Sequence, residues 1–542
     1  MRDWLHEMFW ANRIRRILTV TLGLAMITAG TCYLISSVTA PDRCDDGVSR
    51  SHGECIGVNG SGYDFGTPEI TKVTQAIAAE NRRITANDQP YVTVAMMLPL
   101  QPQPEGERNQ LRSEIQGAYL AQYRANREEK TPLLRLVLAN PGKDYRQHNK
   151  VVDQLARMTG DKKDNLRAVT GFNLSLDTTR AAIQRLTADL RIPVLISRAS
   201  ADELAGPALP HGAARATRPV RVIADNSAQA AALADFHGDL ADEDTVLVKD
   251  IRPDDIYVES LARAFTRKES GPPGAKDQEF LAPSVNEAGD TANDFTIIGH
   301  NICQSPAKVV YFAGRPVHLR LFMLQLAEVP CHGKRYTIVS GSGAATLDRY
   351  MRPDDWKKLQ SDAAQEPTVT LRYAAPAHPA AWDRALEHWE KQRTGQTGRK
   401  PTAAERPAYL TEPLAELTKL RDLIDEGAGD IGPIELADSR TMLVHDGVRT
   451  ISEAVFLANS QTKNTLPALD RVAAQWSRLE SAHRVTGTSG WICLTNAGNP
   501  YNKPVAVVEL APATRRLDFI GLGWPEGKPQ PPGCIVPSGT DH

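Results

Sequence analysis

From position 91 onward the apolar positions of the chain alternate between two spacings. YVTVAMML (91–98) is a continuous apolar, β-branched run closed by Pro99, the pattern of a buried strand. After it Ile115, Ala118, Tyr119, Tyr123 and Asn126 share one helical face. LLRLVLA (133–139) reads as a second strand, and Val151, Val152, Leu155 and Ala156 mark a second helix. The alternation continues through strand 166–170, helix 178–190, strand 193–197, helix 227–240, strand 245–249 and helix 254–268. Strand 279–282, helix 290–302, strand 308–312, helix 316–327 and strand 336–340 complete it. Strands separated by helical stretches predict βαβ units, hence parallel sheets covered on both faces. There are too many units for one sheet of ordinary width, which predicts two α/β lobes.

Outside this section the pattern is less regular. The segment 39–89 holds a short Cys44…Cys55 loop, the turn-rich GVNGSGYDFG and a helical pattern over 69–84. KQRTGQTGRKPTAAERPAYLTEP (391–413) is polar and rich in Pro and Gly, so it is expected to be a mobile insertion. HDGVRTISEAVFLA (445–458) predicts a strong helix and 504–510 a late strand. The Pro-rich tail 525–542 is expected to be pinned at Cys534.

The run 17–38 carries no charge and is long enough to cross a bilayer as a helix. Arg13, Arg15 and Arg16 precede it, which places 1–16 in the cytoplasm and the bulk of the chain outside. Two other readings stay open: Val38-Thr39-Ala40 resembles a signal-cleavage site, and Cys32 in AGTC invites a lipoprotein reading, against which Thr31 stands where a small residue is expected. All three export the bulk of the chain. Of 7 Cys, six lie beyond the apolar run, without CxxC or zinc spacing, so disulfides are expected and a metal site is not. Cys303 stands five residues before strand 308–312 and Cys331 five before strand 336–340, the same edge of a parallel sheet. That pairs Cys303 with Cys331. Cys44 and Cys55 close a local loop, and Cys493 with Cys534 follows by elimination.

Composition narrows function mainly by exclusion. The 542 residues carry 63 Lys+Arg against 65 Asp+Glu, a net charge of −2, so no nucleic-acid partner is expected. There is no HExxH, Walker A or GxSxG motif, and GTSG (487–490) lacks the strand–elbow–helix setting. An enzyme is not expected, and neither catalytic residues nor a cofactor are assigned.

The order of landmarks resembles the type I periplasmic solute-binding proteins, the Leu/Ile/Val-binding group that also supplies receptor ectodomains. The resembling stretches are AVTGFNLSLDTT (168–179), IPVLISRAS (192–200), VIADNSAQAAALADF (222–236), DDIYVESLARAF (254–265), VVYFAG (309–314), HDGVRTISEAV (445–455) and GTSGWICLTNAGNP (487–500). The resemblance implies two Rossmann-like lobes joined by three crossovers, with ligand in the cleft between them. Crossovers are placed near 218–225, 372–376 and 499–504, giving lobe 1 as 90–218 plus 377–500 and lobe 2 as 219–376 plus 501–524. The implied function is a membrane-tethered extracytoplasmic protein capturing a small polar ligand (amino-acid-like, amide or small carboxylate) for an ABC permease. A sensory ectodomain with a signalling subunit, or an interaction module with a degenerate cleft, is the alternative.

In open parallel sheets ligands sit beyond the carboxyl ends of strands, at helix N-termini. That rule selects Asn173 and Ser175 after strand 166–170, and Ser197 and Ser200 after strand 193–197. It also selects Asp250, Asp255 and Tyr257 after strand 245–249, and Arg315 and Ser342 after the next two strands. Ser175 and Asp255 have helix capping as a competing role. The 192–200 loop departs from the family at Arg198, where a Pro is common. The GSGAAT loop (341–346) lacks the carboxylate by which family members neutralise an amino-acid ammonium. A neutral or anionic ligand is therefore expected, unless Asp250 or Asp255 turns inward.

Overall fold

The computed structural model describes residues 43–538, apart from 87–88, 129, 206–216, 241–243, 269–275, 332, 360–367, 463–464 and 512–515. The apolar run 17–38 and the tail 1–16 lie outside the described residues. Among those described, no helix is long and apolar enough to cross a membrane.

The chain divides into a small N-terminal unit ending at Cys55 and a large one beginning at Ile56. In the small unit β1 (Arg43–Asp45) pairs antiparallel with β2 (Val48–Ser51), and Cys44–Cys55 closes the loop with Cα atoms 5.9 Å apart.

The large unit contains two main sheets. The first has the order β3-β5-β4-β6: β3 (Glu54–Asn59), α1 (Thr71–Thr85), β4 (Tyr91–Met97), α2 (Glu105–Ala125), β5 (Leu133–Asn140), α3 (His148–Gly160) and β6 (Leu166–Gly171) alternate along the chain. One face carries Ala95, Met97, Val137, Ala139 and Val169 against Val151, Val152 and Leu155 of α3, and against Ala182 and Ile183 of α4 (Asp177–Gln184). A short parallel ribbon, β7 (Leu195–Ile196) with β8 (Val220–Arg221), follows it.

The second sheet has the order β10-β9-β11-β12-β13-β16-β17. Its helices are α5 (Asn226–Phe236), α6 (Ile256–Lys268), α7 (Thr291–Gln304) and α8 (Pro316–Glu328), with a shorter α9 (Pro353–Leu359). They alternate with β9 (Thr245–Asp250), β10 (Gln278–Phe280), β11 (Val309–Ala313), β12 (Arg335–Ser340) and β13 (Thr368–Ala375). Strand alternation divides the apolar residues between two cores. Val246, Val248, Val310, Phe312 and Ile338 pack with Phe295 and Phe322 on one face. Leu247, Val309, Val339 and Val507 pack with Leu233, Val258, Leu261 and Phe265 on the other. The rings of Phe280, Phe295, Phe312 and Phe322 lie 4.8–6.3 Å apart, and truncating one to Ala would cost about 3–5 kcal/mol.

After β13 the chain forms α10 (Ala381–Thr397), α11 (Ala408–Asp422), α12 (Arg440–Ser460), α13 (Leu469–Ala473), β14 (Val485–Gly487) and β15 (Gly490–Ile492). It returns to the second sheet as β16 (Val505–Ala511) and β17 (Arg516–Gly523). These two are antiparallel additions, as is β3 in the first sheet, so both sheets are mixed rather than parallel as expected. β13 ends at Ala375, within the stretch 372–376 where a crossover is placed, and its Arg372 pairs with Glu509 of β16 at 2.8 Å. The polar stretch 391–413 is structured: it holds the end of α10, a capping box of Thr402 with Glu405, and the start of α11.

Strands β11 and β12 are parallel neighbours, and Cys303 and Cys331 below them are bonded, with Cα atoms 5.5 Å apart. Cys493–Cys534 pins the tail, with Cα atoms 6.3 Å apart. All three pairings are those read from the sequence.

Candidate functional site

The carboxyl ends of both sheets converge on a cleft with a cavity of about 120 Å³. Its walls come from the loop after β4, the start of α2, the loops after β6 and β7, and the N-terminus of α12 on one side. The N-termini of α6 and α8 and the 3₁₀ segment Ser342–Arg349 after β12 form the other. Two glycines set this geometry. A Cβ on Gly117 would lie 2.4 Å from the Thr441 carbonyl oxygen, so only glycine lets α2 approach α12 this closely. Gly171 has φ +103°, and a Cβ there would meet Met97 O at 2.5 Å; it turns β6 sharply into the loop that presents Asn173.

Six of the residues selected from the sequence line this cavity: Asn173, Ser175, Ser200, Tyr257, Arg315 and Ser342. Tyr145 fixes Asn173, its hydroxyl accepting from the Asn173 N–H at 3.1 Å. Asn173 Nδ2 donates to Glu114 Oε2 at 2.9 Å. Ser175 Oγ accepts from the Ala201 N–H at 3.2 Å, so this hydroxyl braces the β7 loop. Ser200 and Ser342 face each other across the cleft with their hydroxyl oxygens 3.4 Å apart. Further direct bonds join the two sides: Tyr257 N–H to Ser175 O at 3.3 Å, and Arg315 Nη2 to the same oxygen at 3.4 Å. The halves are closed on each other.

Three selected residues do not face the cavity. Ser197 is fully buried behind it, its hydroxyl 3.2 Å from Thr170 Oγ1. Asp250 accepts the N–H groups of Arg252 and Ala282 at 3.0 and 3.1 Å, a loop-tying role, and burial raises its pKa. Asp255 caps α6 through the N–H of Tyr257 and also holds two guanidiniums, Arg315 and Arg252. Its burial favours the neutral acid, but Arg315 and then Arg252 outweigh that and keep the pKa below the ordinary carboxylate range. Neither aspartate turns inward. Both are committed to backbone N–H groups, and Asp255 to cations as well.

The sequence reading missed a second charged wall. Arg198, Arg440, Glu107, Gln110 and Tyr350 all line the cavity. Glu114, buried beneath them, takes Arg440 Nη1 in a short contact and lies 3.6 Å from Arg198 Nε. Burial, then repulsion from Arg440, lowers the Arg198 pKa to about 10, with Glu114 opposing. Glu107 is raised to about 7, chiefly by burial and partly by Asp144, against the pull of Arg440 and Lys143. Glu107 Oε1 is buried and accepts no hydrogen bond among the described residues. The signal available in sequence was Arg198 itself, standing where the resembled family favours Pro.

The cleft thus carries the same arrangement twice. Arg198 and Arg440 share Glu114; Arg252 and Arg315 share Asp255. Each ion-paired set holds two guanidiniums on one carboxyl group, an excess of one positive charge within the set; Asp250, whose pKa burial raises, also acts on Arg315 from nearby. Arg349 lies near the first group, but Asp438 pairs with it at 2.6 Å and adds no net charge. Among the described residues no cluster of His, Cys, Asp and Glu could hold a metal ion.

A larger recess of about 970 Å³ lies between α10, α11 and β17, floored by Phe236, Trp389, Tyr409 and Phe519. It is not at the carboxyl ends of the parallel strands, and no paired guanidiniums line it. The interlobe cleft is the candidate site on chemistry rather than size.

No protein-family model matches the sequence, and no curated protein is similar to it in sequence. Among solved structures the chain is similar to a leucine-binding protein, LivK, from Thermotoga maritima: TM-score 0.52, 15% identity, covering 80% of this chain and 99% of that one. It is also similar to LivJ, the branched-chain amino acid transporter substrate-binding protein of Streptococcus pneumoniae in complex with isoleucine: TM-score 0.50, 11% identity, 80% and 99%. A solute-binding protein of an ABC transporter from R. palustris, in complex with 4-hydroxybenzoate, gives TM-score 0.52 at 10% identity, covering 80% and 96%. The chain has the fold of the type I periplasmic binding proteins.

Proposed function

From that fold we propose that the chain is an extracytoplasmic solute-binding clamp, tethered to the cell membrane by 17–38, that captures a small anionic solute for an ABC-type permease. One observation carries the charge preference: around the cavity two pairs of guanidiniums each share a single buried carboxyl group. Excess buried positive charge is costly in a low-dielectric site, and an incoming anion relieves it while gaining charge-assisted hydrogen bonds. Solute capture is supported by the fold neighbours, solved in complex with isoleucine and with 4-hydroxybenzoate. The missing carboxylate in the 341–346 loop, with Asp250 and Asp255 turned away, disfavours an ammonium-bearing ligand.

A thermal-shift screen of the full-length chain against small carboxylates, amides, amino acids and sugars tests this. A ligand at 100 times its Kd adds about 2.7 kcal/mol of stability. Stabilisation confined to carboxylates and other anions is expected. Stabilisation by neutral sugars or amides alone, or by nothing in the screen, would refute the reading.

A further inference from the structure

The distribution of charge in the cleft specifies more than the sign of the ligand. One group, Arg198 and Arg440 on Glu114, belongs to the side built on the first sheet; the other, Arg315 and Arg252 on Asp255, to the side built on the second. A monoanion cancels the excess of one group and leaves the other. A zwitterion brings an ammonium into a cleft whose acidic groups are already engaged or, at Glu107, favoured as the neutral acid. The cavity, of about 120 Å³, admits only a small solute. Resting on the clamp reading above, we infer that the solute is a small dianion. One carboxylate meets Arg198 and Arg440, the other meets Arg315, and the solute is a charged bridge between the halves.

The lining suits this bridge. Arg315 is fixed in plane by two bonds to Asp255 and by stacking over the Tyr257 ring at 4.7 Å, so it is pre-oriented for a planar carboxylate. At the other wall Gln110 and Tyr350 add polar groups to the lining. Ser200 and Ser342 stand between the walls. Because each half supplies one cationic group, a dianion favours the closed state over the open one more strongly than a monoanion does.

The matched pair succinate and succinamate, which differ in one charge and little in shape, tests the inference by calorimetric titration of the full-length chain. Malonate and glutarate with their monoamides cover other lengths, and butyrate, benzoate and leucine complete the panel. The best dicarboxylate is expected to bind at least tenfold more tightly than its own monoamide and than every other member. Arg252→Gln, which removes one charge from the second group without altering the lining, is expected to weaken the dicarboxylate at least fivefold and leave the monoamide unchanged. Equal affinity for the pair, tighter binding of benzoate or leucine, or an equal loss for both ligands in R252Q would overturn the dianion inference and leave the clamp standing. No binding by any of these anions would overturn both. Should R252Q fail to fold, the wild-type comparison still decides.

Discussion

Arg315 grips Asp255 with two hydrogen bonds, Nε to Oδ2 at 2.9 Å and Nη2 to Oδ1 at 2.6 Å, from a different helix of the same half. The same aspartate takes Arg252 Nη2 at 2.5 Å and caps α6, so one buried carboxylate organises the whole second wall of the cleft. Asp255→Asn would leave two guanidiniums without their counter-charge. A loss of about 3–5 kcal/mol is expected in urea unfolding. Asp250→Asn keeps the acceptor for two backbone N–H groups and removes no ion pair, so a loss under about 1.5 kcal/mol is expected there.

Glu107 gives the cleft a pH dependence of defined sign. Its carboxyl is raised to about 7 by burial. Between the ordinary glutamate range and that value the folded state holds a proton that the unfolded chain has released. Stability from this group is present below the unfolded pKa and falls as pH rises through the window. Urea midpoints of the wild type minus those of Glu107→Gln should therefore decline from about pH 5 to about pH 7.5. A flat or rising difference would contradict the assignment. Anion affinity should also fall above neutrality in the wild type and less so in E107Q.

A second buried network lies where the chain passes back into the second sheet. Lys503 Nζ donates to Ser489 Oγ at 3.0 Å and to Gly490 O at 3.2 Å, and Asp446 accepts from the Ser489 hydroxyl at 2.5 Å. Burial lowers the Lys503 pKa to about 8, with Asp446 opposing. Lys503→Met, similar in length and neutral, is expected to cost about 1 kcal/mol or less, whereas Asp446→Asn leaves a buried ammonium unpaired and should cost about 3–5 kcal/mol. Equal losses in the two variants would contradict this ordering.

The Cys303–Cys331 bond closes a separation of 28 residues at the amino-terminal edge of the second sheet, away from the cleft. Replacing both with Ser is expected to lower stability by about 3–4 kcal/mol through the unfolded chain. Solute affinity should be unchanged. An affinity loss above about threefold, roughly 0.6 kcal/mol, would tie this edge to the site.

The strand-end rule found Asn173, Ser175, Ser200, Tyr257, Arg315 and Ser342 because each follows a strand whose apolar run is plain in the sequence. It failed at Asp255 because a residue at the right position can face inward to a cation as easily as outward to a ligand. Arg440 was beyond reach for a different reason. Its partner Glu114 is 326 residues away, and only the close approach at Gly117 brings them together. Strand β13 (TVTLRYAA) was not picked out as a strand; only the crossover near 372–376, at its end, was placed, and that came from the resemblance. Strand β16 was expected at 504–510, but its antiparallel pairing with the distant β13 and with the adjacent β17 gives no βαβ signal.

Equilibrium titration of the full-length chain and of its Arg198→Gln variant with the best-bound small carboxylate weighs the solute-clamp reading in one step. Arg198 lines the cavity, contributes to the excess charge and caps no helix. One solute per chain is expected, with affinity reduced at least tenfold, about 1.4 kcal/mol, in R198Q. Unchanged affinity in R198Q, or tighter binding of a neutral or cationic solute than of any anion, would contradict capture of an anion in this cleft.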